Sequence, residues 1–238
     1  MSGSRQAKNA VRERVWSALE QAGAAEPGVH GHIPDFAGAD LAADRLAGVA
    51  GWLAADVVEI VPDQAQYPVR VRALTSGKLV YMAVPRLAET QPFYCLDPRQ
   101  LTVEPEEAAN RQTAARIAPA VDIAAMDPLD LIVCGSVAVS ENGARLGKGA
   151  GYSDIEMALL AEAGLLTDAT IIATTVHELQ VTEDELPEEG HDFRVDLIVT
   201  PDRVIECGTS RRPAGLNWNE LRPDQIAAIP ALQRHPRQ

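Results

Sequence analysis

The sequence predicts a three-layer α/β/α domain, Rossmann-like, built on a mostly parallel sheet. Three observations carry that prediction. A strand, a glycine-rich loop, a helix and a second strand follow one another between residues 129 and 176, and this βαβ order implies parallel strands covered by a helix. The strand segments there are apolar throughout rather than alternating, as expected when helices cover both faces of a sheet. With 238 residues and 46% hydrophobic content the chain can bury a full core, and with aromatics at only 4% that core is made of Ala, Val, Leu and Ile.

In chain order, residues 4–22 place Val11, Val15, Ala18, Leu19 and Ala22 on one helical face, with Arg5, Lys8, Arg12 and Arg14 on the other. A Gly, Pro and His stretch follows, and a second helical pattern spans residues 38–53 through Leu41, Leu46 and Val49. Residues 56–62, 69–74 and 78–84 are short β-branched runs between Pro and Gly, and are expected to be strands. Residues 105–117 read as a helix with Glu106 and Glu107 at its positive end. The βαβ unit comprises a strand at 129–134, a helix at 153–163 and a strand at 170–176. Residues 195–200 repeat the strand signal, and 204–207 add another. The segment 211–238, with four prolines and a helical piece at 223–231, is expected to wrap the surface. The expected organisation is one domain over residues 1–238, with a tail from about residue 209.

Thirty-four acidic residues against 21 Lys and Arg give a formal charge of −13. General nucleic-acid binding is excluded on that balance, because affinity for phosphate backbones comes from clustered Lys and Arg releasing counterions. No apolar window reaches a membrane span of roughly 20 residues, and the N-terminus is charged where a signal peptide would be apolar. A cytoplasmic protein is expected, a monomer or small homo-oligomer acting on a small molecule. Cys95, Cys134 and Cys207 fit neither a disulfide framework nor a zinc site, and read as buried small hydrophobes.

The most informative stretch runs from Gly143 to Asp154, between a buried strand and a helix. Gly147, Gly149 and Gly151 alternate, which frees the backbone to aim successive amides at one point on the positive end of the following helix. Arg145 and Lys148 add full charges against phosphate oxygens, and Asp154 suits Mg2+. The glycine spacing matches neither the dinucleotide fingerprint nor the P-loop. A phosphate cradle and a merely tight strand-to-helix connection are both consistent with the loop taken alone.

The flanks decide more. Asp130-Leu-Ile-Val, Gly135-Ser-Val-Ala-Val, Asn142-Gly-x-Arg145-Leu-Gly147-x-Gly149-x-Gly151-Tyr152-x-Asp154, His191-Asp192 and Val195-Asp196-Leu-Ile-Val-Thr200, with Lys8-x-x-x-Arg12 in the first helix, together resemble the 5-formyltetrahydrofolate cyclo-ligase family. The likeness is greatest to the branch of methenyltetrahydrofolate synthetase domain-containing proteins, through Gly147-Lys148-Gly149-x-Gly151-Tyr152, Arg212-Pro213 and Asn217-Trp218. It implies a NagB/RpiA/CoA-transferase-like fold and an ATP- and Mg2+-dependent conversion of 5-formyltetrahydrofolate, or a related heterocycle, to the 5,10-methenyl form. It places ATP against Lys8, Arg12, Arg145, Gly147, Lys148, Gly149, Gly151 and Tyr152, with Arg145, Lys148 and Tyr152 as the catalytic set. Mg2+ would be held by Asp154 and Asp192.

Three segments depart from the family pattern. The family's Met and Glu near residue 40 have only Asp35 and Asp40 here, Tyr-Tyr-Asp is Tyr152-Ser153-Asp154, and residues 92–98 lack Gly-x-x-Glu-Pro. The alternative reading is accordingly a nucleotide-binding regulatory member without cyclo-ligase activity. His177 and Gln180 follow a strand at the end where open α/β folds bind ligands, so His177 is either a ligand contact or a satisfied buried histidine. His30 and His32 read as surface residues.

Overall fold

A computed structural model describes residues 3–208, 211–213 and 215–234. In chain order its elements are α1 (Gly3–Gln21), α2 (Ala39–Ala47), α3 (Ala50–Ala54), β1 (Val57–Ile60), α4 (Tyr67–Thr75), β2 (Leu79–Ala83), β3 (Phe93–Leu96), α5 (Pro105–Ala108) and α6 (Arg111–Ile117). They continue with β4 (Ala120–Val121), β5 (Leu131–Cys134), β6 (Ala138–Ser140), β7 (Arg145–Leu146), α7 (Tyr152–Glu162), β8 (Ile171–Thr175), β9 (Val181–Thr182), β10 (Leu197–Val199), β11 (Val204–Glu206), α8 (Pro223–Ala228) and α9 (Pro230–Arg234).

The main sheet has the order β11-β10-β8-β5-β1-β2-β3-β4. Its five central strands, β10, β8, β5, β1 and β2, are parallel, while β3, β4 and β11 add antiparallel edges. Alternate residues of the strands feed two cores. Ile132, Cys134, Tyr81 and Ala83 join α7 and the C-terminal segment. Leu131, Val133, Val80 and Met82 join α2 to α6 on the other face. This is the predicted α/β/α architecture, and its cause is the predicted one: strands apolar on both faces need helices on both. A second sheet, β7-β6-β9, packs against α1 through Val15, Trp16, Leu19, Ala138 and Leu146.

Residues 69–74 are helical, not a strand. They lie in α4, which joins the parallel pair β1 and β2, and a parallel pair requires a crossover. Pro68 suits the first turn, where its missing N–H costs nothing. Arg70, 1% exposed, donates to the carbonyls of Ala109 at 2.9 Å, Val61 at 2.5 Å and Asp63 at 3.1 Å, so an apparent β-branched run conceals a buried cation.

Two predicted helices are each broken in two. The 38–53 pattern stops at Gly48 and restarts after extended Val49, where Gly51 approaches the sheet so closely that a Cβ would lie 2.3 Å from Ile171. The 105–117 pattern restarts at Asn110, whose side chain caps α6 by accepting from the amides of Gln112 and Thr113. The three cysteines are unpaired, but only Cys134 is buried, while Cys95 and Cys207 are half-buried. The tail expected from about residue 209 has its residues 209–210, 214 and 235–238 outside the described residues. Among the described ones, Leu216, Trp218, Leu221 and Ile226 pack on the α7 side of the sheet.

Candidate active site at the switch point of the sheet

The chain turns to opposite sides of β1, reaching β2 on one flank and β5 on the other, and such a switch point opens a crevice at the carboxyl ends of the strands. Asp63 follows β1 and Gly135 follows β5, so both lie at that crevice. Part of what reads as a loop is a hairpin: β6 and β7 pair antiparallel around Asn142-Gly143, with Gly143 at φ +88°. Arg145 is therefore a strand residue, fixed in direction. Its guanidinium lies over the Phe193 ring at 4.5 Å, reaches the Gly135 carbonyl at 3.4 Å and stands 3.6 Å from Asp154 Oδ1.

The glycines that follow are hemmed in by cations. A Cβ on Gly147 would lie 2.7 Å from the Arg145 guanidinium, and on Gly149, at φ +91°, 3.3 Å from that of Arg12. Gly151, at φ +78°, caps α7, and a Cβ there would meet the Gln225 amide at 2.9 Å. Arg12 donates from Nε to the Gly147 carbonyl at 2.7 Å. Burial and the neighbouring Arg145 make its guanidinium less basic than usual. Lys148 is the most exposed of the four cations and faces Asp63 Oδ1 at 3.4 Å. Tyr152 opens α7 with its ring half-buried against the core, and Gln225 of α8 donates to the Ala150 carbonyl at 3.2 Å, laying the C-terminal segment over the loop.

Lys8 is 5% exposed and turned to carboxylates: Asp192 Oδ2 at 2.6 Å and Glu189 Oε2 at 3.0 Å. One donor atom from each of Asp154, His191 and Asp192 lies within 4.8 Å of the others. The structure thus gathers Lys8, Arg12, Arg145, the glycine loop, Lys148, Tyr152, Asp154 and Asp192 around one crevice. His177 instead caps a short turn: its Nδ1 accepts from the Leu179 amide at 3.2 Å and its ring meets Phe36 edge-on. Asp35 and Asp40 are exposed, and among the described residues the loop's carboxylate partner is Asp63, after β1.

The chain matches the 5-formyltetrahydrofolate cyclo-ligase family over residues 4–201. The chain belongs to that family. Methenyltetrahydrofolate synthase domain-containing proteins of Mus musculus and Homo sapiens are 35% and 34% identical to it, each over 95% of the chain. The chain spans only 62% and 60% of those relatives. A solved structure of Aquifex aeolicus 5,10-methenyltetrahydrofolate synthetase superposes with a TM-score of 0.54 at 20% identity, covering 89% of this chain and 98% of that one, and shows the shared fold. Among the described residues no helix is long and apolar enough to cross a membrane.

Within the cyclo-ligase fold, sequence reasoning missed four carboxylates. Asp63 and Glu220 carry no local signal. Glu59 and Glu156 stand in apolar runs, at 0% and 6% exposure, facing each other between β1 and α7. Burial, then the facing Glu156, pushes the Glu59 carboxyl well above its usual range, and burial raises Glu156 to about 7. A Glu inside a β-branched strand was the available cue.

Proposed function

We propose that this chain is an ATP- and Mg2+-dependent cyclo-ligase of the cytoplasm, acting on 5-formyltetrahydrofolate or a related heterocycle. The single observation that carries the reading is the glycine loop closed against Arg12 and Arg145 at the switch point. A Cβ on Gly147 or Gly151 would press on the Arg145 guanidinium at 2.7 Å or the Gln225 amide at 2.9 Å, and the Arg145 Nε is a buried donor without a hydrogen-bond partner. Backbone amides over buried guanidinium groups fit a triphosphate. Asp154 and Asp192 offer the hard oxygens that Mg2+ takes.

When bound, Mg2+-ATP would supply an activating phosphoryl group for the formyl oxygen, which then departs as phosphate when the ring closes. The chain's own contribution is positioning and charge. Arg145 and Lys148 would neutralise phosphate charge, Arg12 would hold the loop through the Gly147 carbonyl, and Tyr152 would border the transferred group. Lys8 would hold Asp192 in place.

The test is ATP-dependent methenyltetrahydrofolate formation, followed by near-ultraviolet absorbance, beside calorimetric ATP titration. Turnover supports the reading. ATP binding without turnover of any folate removes the cyclo-ligase claim and establishes the second reading, a nucleotide-binding regulatory protein. That second reading is favoured by segment 34–41, whose Asp35 and Asp40 side chains lie exposed.

A further inference from the structure

We propose that His191 is the third protein ligand of the divalent-cation site, oriented by Glu220, and that the site therefore also takes a borderline transition ion such as Co2+ beside Mg2+. The inference rests on reading Asp154 and Asp192 as cation ligands, and adds an imidazole to them and a carboxylate behind it.

The atoms are already divided between roles. Asp192 Oδ2 accepts from Lys8 Nζ at 2.6 Å and from the Glu189 amide at 2.5 Å, which fixes the carboxylate. Its other oxygen, Oδ1, faces His191 Nε2 at 3.8 Å. On the far side of the imidazole, Nδ1 is hydrogen-bonded to Glu220 Oε2. With Nδ1–H donating to that carboxylate, Nε2 turns its lone pair toward Asp154 and Asp192. This is how metal-binding histidines are held: the second nitrogen is tied to a carboxylate, which sets tautomer and ring direction and makes the ligating nitrogen more basic.

A separate observation comes from Arg145. It is 5% exposed, its guanidinium stands 3.6 Å from Asp154 Oδ1, and its Nε has no hydrogen-bond partner. A buried side chain whose Nη1 faces Asp154 and whose Nε lacks a partner fits an oxygen atom bound beside the cluster, from phosphate or from a water in a cation's shell. The three protein donors are one imidazole nitrogen and two carboxylates. Mg2+ takes oxygen almost alone, whereas imidazole suits borderline ions such as Fe2+, Ni2+ and Zn2+, among which Co2+ falls. The competing account is a side chain that only bridges Glu220, Asp192 and Glu189 and binds no metal.

Mn2+ titration followed by loss of the free-ion electron paramagnetic signal, with Mg2+ as competitor, separates the two accounts. The wild type is expected to bind Mn2+ and to exchange it for the more tightly held Co2+, the order expected when an imidazole is in the ligand set. His191→Ala is expected to lose about 10- to 100-fold in Mn2+ affinity while Mg2+ affinity changes far less, and bound Co2+ should change its visible absorption. Glu220→Gln, on a side chain at the surface, should weaken Mn2+ binding while leaving the fold intact, and it carries the test should His191→Ala not fold. Equal Mn2+ affinity in the wild type and both variants, or no Mn2+ binding by the wild type at millimolar concentration, would overturn the proposal. ATP titration in EDTA, run in parallel, tests the nucleotide reading separately.

Discussion

Lys8 Nζ on α1 lies 2.6 Å from Asp192 Oδ2, 184 residues further along the chain. Both side chains are nearly enclosed, at 7% and 11% exposure, so the pair ties the first helix to the cation cluster. Removing one partner of a buried ion pair leaves an uncompensated charge and costs about 3–5 kcal/mol. Lys8→Met is expected to lower Tm by roughly 10 °C, at about 2–4 °C per kcal/mol for a chain of this size. Asp192→Asn should cost a similar amount, and the double variant clearly less than the sum. Additive losses in this cycle of thermal melts would show that the contact contributes nothing.

Gly149 and Gly164 both have positive φ, at +91° and +73°, but only Gly149 has a neighbour where a Cβ would stand. Gly164→Ala should therefore show backbone strain alone, about 1–2 kcal/mol. Gly149→Ala should show the same strain and in addition lose about tenfold or more in ATP affinity, because its methyl group presses on the Arg12 guanidinium. Calorimetric ATP titration of both variants checks the contrast. An unchanged affinity in Gly149→Ala would count against the loop as the phosphate site.

Glu59 and Glu156 hold protons more tightly in the folded chain than in the unfolded one, where a glutamate titrates near about 4.3. The native state then binds more protons, so stability falls as pH rises. The contribution is full below the unfolded value and is lost as pH climbs through the raised values of the pair, about 7 for Glu156. Glu156→Gln, neutral at every pH, is expected to flatten this decline and to melt higher than the wild type at alkaline pH. Parallel slopes for both proteins would rule out the buried pair as its source.

Arg70 is enclosed between α4 and the end of β1, and burial draws its basicity down to about 10. Arg70→Met keeps the length of the side chain but strands the carbonyls of Val61 and Ala109, while that of Asp63 keeps the Gln66 amide. At about 1–3 kcal/mol for each buried group left unsatisfied, the loss should exceed about 2 kcal/mol in urea unfolding. The same carbonyls lead into Asp63, so Lys148 should also lose its partner's position.

Much of this molecule was legible from the chain alone. The apolar runs at 129–134, 170–176 and 195–200 became β5, β8 and β10 in a parallel sheet, because uninterrupted Leu, Ile and Val can be buried only between two helical layers. Alternating glycines before α7 marked the loop, since positive φ there is a local backbone property. Residues 69–74 could not be resolved locally, because a short run of Val and Arg fits strand or helix until the parallel pairing of β1 with β2 demands a crossover. The cues in Asn142-Gly143 and Glu59 were present in the sequence but weak. Only the tertiary structure decided which charges meet. Asp63 reaches Lys148 across 85 residues and Asp192 reaches Lys8 across 184, while His191 and Glu220 join from separate segments. Such pairs are set by how the layers pack, and side-chain periodicity records only which face of each element is buried.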